Sequence, residues 1–200
     1  KLPWIYVMSS ISGIDGLYPT IKIIKHTNKI AIANKESIIC AWNLIQNELK
    51  KYKTKFVPVD SEHFSLWYAL KNSSISDIEK IYLTASGGPL LKFPKSNSNN
   101  ISLARALKHP TWSMGKKISI DSCTMMNKVF EVIEANHLFN LSYEKISVLT
   151  HPNSYIHAIV KFKHGLIKII AHDTTMKIPI FNTINSDNNS IFKSDNLNLK

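Results

Sequence analysis

The sequence predicts an α/β protein that opens on alternating strands and helices and continues into a mixed sheet. Three observations carry this. Short β-branched runs alternate with segments of helical period as far as Leu83. After Phe139 strand-like runs follow one another with little between them, which suits a sheet built from neighbouring strands. An apolar content of 44% over 200 residues is enough for a substantial core in one domain or slightly more.

The elements follow in order. Ile21-Lys22-Ile23-Ile24 fits the end of a helix, and the polar turn His26-Thr27-Asn28 separates it from a short buried strand, Lys29–Ala33. Asn34 to Ser37 opens a helix over Ile38–Leu49, on which Ile38, Ala41, Trp42 and Ile45 fall at helical spacing. Lys55–Val59 is the next strand, Ser65–Leu70 a short helix, and Lys80–Thr84 a strand running into Ala85-Ser86-Gly87-Gly88-Pro89. Ser96–Asn100 reads as a polar linker, Ser102–Lys108 as a helix, and His109–Lys117 has no periodicity. Ile118-Ser119-Ile120 leads through Asp121-Ser122-Cys123-Thr124 into a helix that reaches Phe139, with Met126, Val129, Phe130 and Ile133 as its apolar stripe. Strands are expected at Ile146–Leu149, Ile156–Phe162 and Leu166–Ala171, and from Ser186 the chain becomes a polar tail or truncated linker.

Composition narrows the function. No run of about 18 apolar residues appears, so no membrane-spanning helix is expected. The chain begins with Lys1 and reads as a fragment of a longer protein. Cys40 and Cys123 lack CxxC spacing and sit among apolar neighbours, which suggests buried free thiols in a reducing compartment. A net charge of +11 suits nucleic acid, an anionic membrane surface or phosphorylated ligands, but equally a surface filled with lysine.

Four stretches carry chemistry. Asp60 and Glu62 are two apart, so in an extended chain both carboxylates leave one side, and two hard oxygens suit Mg²⁺ or Mn²⁺. An exposed acidic turn explains them as well. On the helix after Asp121, Asn127 and Glu131 share a face and Lys128 lies three residues before Glu131. Ser122, placed at the start of that helix, would help Asn127 and Lys128 hold a phosphate while Glu131 met a metal; a capping serine and a surface ion pair are the plainer alternative. Thr84 to Pro89 is either a glycine turn or an anion cradle, without the Lys-Ser/Thr of a P-loop. Lys108 to Lys117 combines Trp112 and Met114 with His109, as a lid over substrate does, or as an exposed loop does.

The wording of these stretches in series is more specific than any one of them. Ala33-Asn34-Lys35-Glu36-Ser37, Val59-Asp60-Ser61-Glu62-His63 and Ser86-Gly87-Gly88-Pro89 come first. His109-Pro110 with Trp112-Ser113-Met114-Gly115-Lys116-Lys117 follows, then Ile120-Asp121-Ser122 with Thr124-Met125-Met126-Asn127-Lys128, and Glu131 with Glu134. From about Ser12 to about Thr183 the chain resembles the 1-deoxy-D-xylulose 5-phosphate reductoisomerases of the non-mevalonate isoprenoid pathway.

The resemblance implies a fold and a site. It makes residues 1–50 the end of a Rossmann-like NADPH-binding domain, 51–185 an α+β catalytic domain with a mixed sheet, and 186–200 a tail toward a C-terminal helical domain. The glycine-rich fingerprint that opens the family's dinucleotide half has no counterpart here. The implied metal ligands are Asp60, Glu62 and Glu131, binding Mg²⁺ or Mn²⁺. The implied substrate contacts are Lys35, Ser61, Glu62, Ser86, His109, Ser122, Asn127, Lys128 and Glu131, with Lys35 and His109 counted among the catalytic groups. Contacts to NADPH fall on Asn34, Glu36 and Gly115. The partners implied are a small sugar phosphate and a second copy of the full-length chain, in the cytoplasm, with no nucleic acid and no membrane. A non-catalytic remnant that binds metal and sugar phosphate without turnover is the alternative, and a basic nucleic-acid-binding domain the remoter one. His157 either lies near the site or, the preferred reading, is structural, and His63 is expected to pack or to support the site.

Overall fold

The computed structural model describes residues 4–94, 101–185 and 190–193, so the Ser96–Asn100 linker and most of the polar tail lie outside the described residues. Among these, β1 (Trp4–Ser9), α1 (Leu17–Ile24), β2 (Thr27–Ile32), α2 (Lys35–Tyr52) and β3 (Lys55–Pro58) alternate. The three strands form a parallel sheet in the order β1-β2-β3, with Ile30 opposite Phe56. The parallel sheet takes in β3 and so extends past residue 50.

The second half begins with α3 (Ser61–Ala69) and β4 (Ile78–Ala85), followed by α4 (Leu103–Leu107), α5 (Lys116–Cys123) and α6 (Met126–Phe139). Then come β5 (Ile146–Thr150), β6 (Ile156–Phe162), β7 (Ile167–Ala171) and α7 (Lys177–Ile184). Its sheet has the order β5-β4-β6-β7. β5 runs parallel to β4, while β6 and β7 are antiparallel to their neighbours, which is the mixed sheet the sequence predicts.

Two cores result. Ile24, Ile30, Ile32, Ile38, Ile45 and Leu49 fill the first, between α1, α2 and the parallel sheet. Leu66, Ile81, Leu83, Ala135, Ala158 and Val160 belong to the second, between α3, α6 and the mixed sheet. A fully buried isoleucine stabilises the fold by about 1.5–3 kcal/mol, so the Ile-rich strands set these layers. α6 spans both cores, with Leu138 against the first and Ala135 in the second. That position sets one end of the site.

Several expectations change. α3 starts at Ser61, four residues earlier than predicted, because Pro58 ends β3 and Asp60 takes the position that precedes a helix. The segment after Ile118 is two helices, α5 and α6, joined at Met125, which has a left-handed backbone with φ 61°. Ser122 therefore lies in the last turn of α5 and not at a helix N-terminus. The apolar stripe on α6 is also misplaced: Met126 and Val129 are exposed, and the buried face carries Lys128, Glu131, Glu134 and Ala135. Neither cysteine is buried, Cys40 being exposed on α2 and Cys123 partly covered at the end of α5.

Candidate metal and substrate site

The ends of β3 and β4 and the inward face of α6 meet at a cavity of about 240 Å³. Asp60 and Glu62 do not reach it from an extended chain. Asp60 precedes α3 and Glu62 stands in its first turn, so the helix start brings the two carboxylates together. Glu131 comes from α6, and one oxygen from each of the three lies within 4.8 Å of the others.

Two buried lysines make that convergence possible. Lys35, in the first turn of α2, places Nζ 2.5 Å from Asp60 Oδ2, 2.9 Å from Asn127 Oδ1 and 3.5 Å from Glu131 Oε1. Lys128 Nζ is 2.8 Å from Glu62 Oε1 and also meets the Glu131 carboxylate and the Thr84 carbonyl. Burial alone would lower the pKa of both ammonium groups. The carboxylates outweigh it: Asp60, Glu131 and Glu134 raise Lys35, and Glu131 and Glu62 raise Lys128. Burial pushes Glu131 up to about 7, with the Glu62 charge adding to it against Lys128 and Lys35. Glu62 goes the other way, since Lys128 and His157 overcome its burial and hold it well below the usual carboxylate range.

The donor set suits a hard divalent cation: three carboxylates from two elements, with Asn127 donating to Glu131 and Ser61 donating to Glu62 at 2.5 Å. Glu131 Oε2 is ion-paired with Lys128 but accepts no well-aligned hydrogen bond, which leaves a lone pair for a metal.

The opposite wall is a glycine turn set against the end of α5. Gly87 and Gly88 have φ of 85° and 67°, conformations that favour glycine. A Cβ on Gly88 would lie 2.7 Å from the Ser122 carbonyl, so this glycine lets the turn close on the end of α5. Ser86 Oγ lies 3.0 Å from His109 Nε2. His109 Nδ1 accepts from the backbone N–H groups of Thr111 and Trp112, at 3.2 and 2.9 Å, so the ring proton sits on Nε2 and points toward Ser86. Burial lowers the His109 pKa and favours that neutral form.

Lys35, Asp60, Ser61, Glu62, Ser86, His109, Ser122, Asn127, Lys128 and Glu131 all line this one cavity. Trp112 and Met114, from the loop between α4 and α5, line it too, as a lid would. Asn34, Glu36 and Gly115 stand outside it. Asn34 caps α2, accepting from Ser37 N at 2.8 Å and donating to the carbonyls of Gly13 and Ile11, so its amide is engaged within the chain. Gly115 precedes α5. Glu36 is bound by Lys117 at 2.6 Å, and Lys117 also holds Asp121 at 2.6 Å.

Sequence reasoning assigned part of the lining no role in the site. His157 reaches the cavity from β6, stacked on His172 with ring centroids 3.7 Å apart and edge-on to Trp112. Burial and the neighbouring His172 push it down to about 4. Ser154 and Met176 also reach the cavity, from segments with no motif to mark them. His63 and Glu134 form a buried pair behind the carboxylates that the sequence left without a task.

Two family models match the chain. The 1-deoxy-D-xylulose 5-phosphate reductoisomerase model covers residues 4–42, and the model of that enzyme's C-terminal domain covers residues 56–139. The chain belongs to the 1-deoxy-D-xylulose 5-phosphate reductoisomerase family. A reductoisomerase from Pelagibacter ubique is 61% identical over 195 residues, covering 98% of this chain and 50% of the relative. One from Clostridium acetobutylicum is 48% identical over 179 residues, covering 90% and 46%. The chain thus spans about half the length of the curated relatives it matches. A crystal structure of DOX-P reductoisomerase in complex with NADPH, fosmidomycin and magnesium superposes with a TM-score of 0.88 at 36% identity, covering 98% of this chain and 50% of that one. The reductoisomerase from Zymomonas mobilis in complex with NADPH gives 0.87 at 35%, covering 96% and 50%. The carboxylates Asp60, Glu62 and Glu131 all fall in the stretch matched to the reductoisomerase C-terminal domain.

Proposed function

We propose that this chain is the metal- and substrate-binding part of an enzyme that rearranges and reduces 1-deoxy-D-xylulose 5-phosphate to 2-C-methyl-D-erythritol 4-phosphate with NADPH, in the non-mevalonate isoprenoid pathway. One observation carries the reading: three carboxylates from α3 and α6 converge in a cavity whose other wall offers Ser86, His109 and Ser122. Asp60, Glu62 and Glu131 would hold Mg²⁺ or Mn²⁺, which as a Lewis acid polarises the substrate carbonyl. Lys35 and Lys128 balance the carboxylate charge and keep the ligand oxygens close together. Ser86, Ser122, Asn127 and Lys128 fix the sugar phosphate, and His109 presents an N–H beside Ser86. Trp112 and Met114 cover the cavity and exclude water from the reacting carbons. Asn34, Glu36 and Gly115 are the proposed NADPH contacts, at the starts of α2 and α5, which Lys117 links through Glu36.

A homodimer and a cytoplasmic location belong to the same reading. Exposed Leu149, Ile167 and Ile169 on the mixed sheet offer an apolar face for a second copy, and both cysteines are free, as a reducing compartment requires. The reading gives nucleic acid no part, and the two site lysines are engaged by carboxylates. No helix among the described residues is long and apolar enough to cross a membrane.

The test is turnover by the full-length protein that carries this segment. With 1-deoxy-D-xylulose 5-phosphate and Mg²⁺ it should oxidise NADPH, and a chelator should stop it. Metal-dependent substrate binding without NADPH oxidation would favour the non-catalytic remnant. If neither metal nor substrate binds, both readings are wrong.

A further inference from the structure

Behind the three carboxylates lies a second layer that the proposed reaction does not use. His63 is fully buried and Glu134 is 1% exposed. His63 Nε2 is 2.8 Å from the backbone carbonyl of Glu131, and a carbonyl only accepts, so Nε2 carries a proton and donates it there. Nδ1 on the other side of the ring faces Glu134 Oε2 at 3.3 Å and Asp60 Oδ2 at 4.0 Å. One imidazole therefore hydrogen-bonds the peptide of Glu131 on α6 and faces the carboxylate of Asp60, at the start of α3, from 4.0 Å.

Glu134 closes this arrangement from α6, three residues beyond Glu131. Neither His63 Nδ1 nor Glu134 Oε2 makes a well-aligned hydrogen bond to any group, each other included, so their 3.3 Å approach is an ion-pair contact. A carboxylate buried this deeply costs several kcal/mol unless charge or hydrogen bonds offset it, so the residue is not a neutral filler of space. Imidazoles and carboxylates behind metal ligands commonly set ligand orientation, and losing them costs about 10–100-fold in metal affinity.

We propose that Glu134 is a positioning residue for the divalent-cation site: acting through His63, it holds Asp60 and the Glu131 peptide at ligand spacing before a cation arrives. This rests on the reading of Asp60, Glu62 and Glu131 as metal ligands. The arrangement links α3 to α6 through a single rigid ring, so the spacing of the ligands depends on the seating of His63. Glu134 sets that seating.

The test is Mn²⁺ binding to the full-length protein without substrate, followed by the electron paramagnetic resonance of free Mn²⁺. Glu134→Gln keeps the shape and removes the charge that faces Nδ1. His63→Gln keeps an N–H for the Glu131 carbonyl and loses Nδ1. Each should weaken Mn²⁺ binding by about 10–100-fold with an unchanged circular dichroism spectrum, and the double variant should be no weaker than the weaker single one. Should Glu134→Gln fail to fold, Glu134→Asp, which keeps the charge but draws it back from the ring, should show the same loss.

Other outcomes separate the two ideas. If Asp60→Asn abolishes binding while Glu134→Gln binds as the parent does, the positioning role is wrong and the metal reading stands. Losses that add in the double variant would mean that Glu134 acts by charge alone, and would overturn the role. Asp60, His63 and Glu134 also lie within 4.8 Å of one another, so two Mn²⁺ per chain falling to one in Glu134→Gln would make Glu134 a ligand instead. If Asp60→Asn binds Mn²⁺ like the parent, the metal reading itself fails.

Discussion

Lys128→Met should make the fold depend on a divalent cation. The side chain is 8% exposed, and its ammonium is the shared partner of Glu62 and Glu131. Methionine keeps the length and the apolar stem and removes the charge. Among the described residues, Lys35 is then the one lysine left in ion-pair contact with the three carboxylates, through Asp60 and Glu131.

Removing one partner of a buried ion pair costs about 3–5 kcal/mol. For a chain of this size about 1 kcal/mol moves Tm by about 2–4 °C, so the metal-free variant should unfold about 6–20 °C below the parent. A divalent cation supplies two charges to the same oxygens. Saturating Mg²⁺ should therefore close most of the gap between variant and parent, and Mn²⁺ should bind the variant more tightly. The assay is thermal unfolding by circular dichroism at about pH 8, above the value near 7 to which burial pushes Glu131 in the parent; losing Lys128, which lowers it, moves Glu131 further up in the metal-free variant, and a bound cation brings it back down. A gap of the same size with and without Mg²⁺, or no gap, would refute the view that Lys128 is an internal counter-ion of the metal ligands.

Three further outcomes can be measured. Glu131→Gln in the full-length protein should lower metal-dependent turnover by at least about a hundredfold, the upper end of what losing a supporting group costs, while its circular dichroism spectrum stays unchanged. Near-normal activity with Mg²⁺ would remove Glu131 from the metal site. Trp112→Ala takes away packing and no ligand; the partly covered ring should contribute at the lower end of an aromatic's about 1.5–3 kcal/mol, so KM for the sugar phosphate should rise about tenfold. His157 gives a pH dependence of stability. Its folded pKa is near 4 against an ordinary 6.5, so between these values the unfolded chain binds the extra proton. Stability is then insensitive to this group above about pH 6.5 and falls by about 3 kcal/mol as pH drops to about 4. Denaturant unfolding of His157→Phe should show a correspondingly flatter profile, and an unchanged slope would assign the acid sensitivity elsewhere.

Much of the fold was legible because its signals are local. The Ile-rich strands, the turn at His26 and the period of α2 each declare themselves within a few residues, and Ile38, Ala41 and Ile45 are buried where the spacing puts them. The residues proposed for substrate and metal were picked out by the wording of their motifs, and all of them line one cavity. Geometry was the weaker part. The sequence suggested that Asp60 and Glu62 share one side of an extended chain, whereas a helix begins between them.

α6 shows why such a site resists a reading by periodicity. Apolar spacing assigns the buried face of a helix only when that face meets a hydrocarbon core. Here the inward face carries Lys128, Glu131 and Glu134, and Met126 and Val129 are left exposed. What makes this face stable to bury is supplied from other elements: Lys35 from α2, Asp60, Glu62 and His63 from the start of α3, and the Thr84 carbonyl from β4. None of these partners is within forty residues of Lys128, so no local window can reveal that the charges compensate. The same long-range dependence ties the site to the fold. With α2 or α3 displaced, α6 would bury uncompensated charge at a cost of several kcal/mol, so the helices that hold the carboxylates together are also held in place by them.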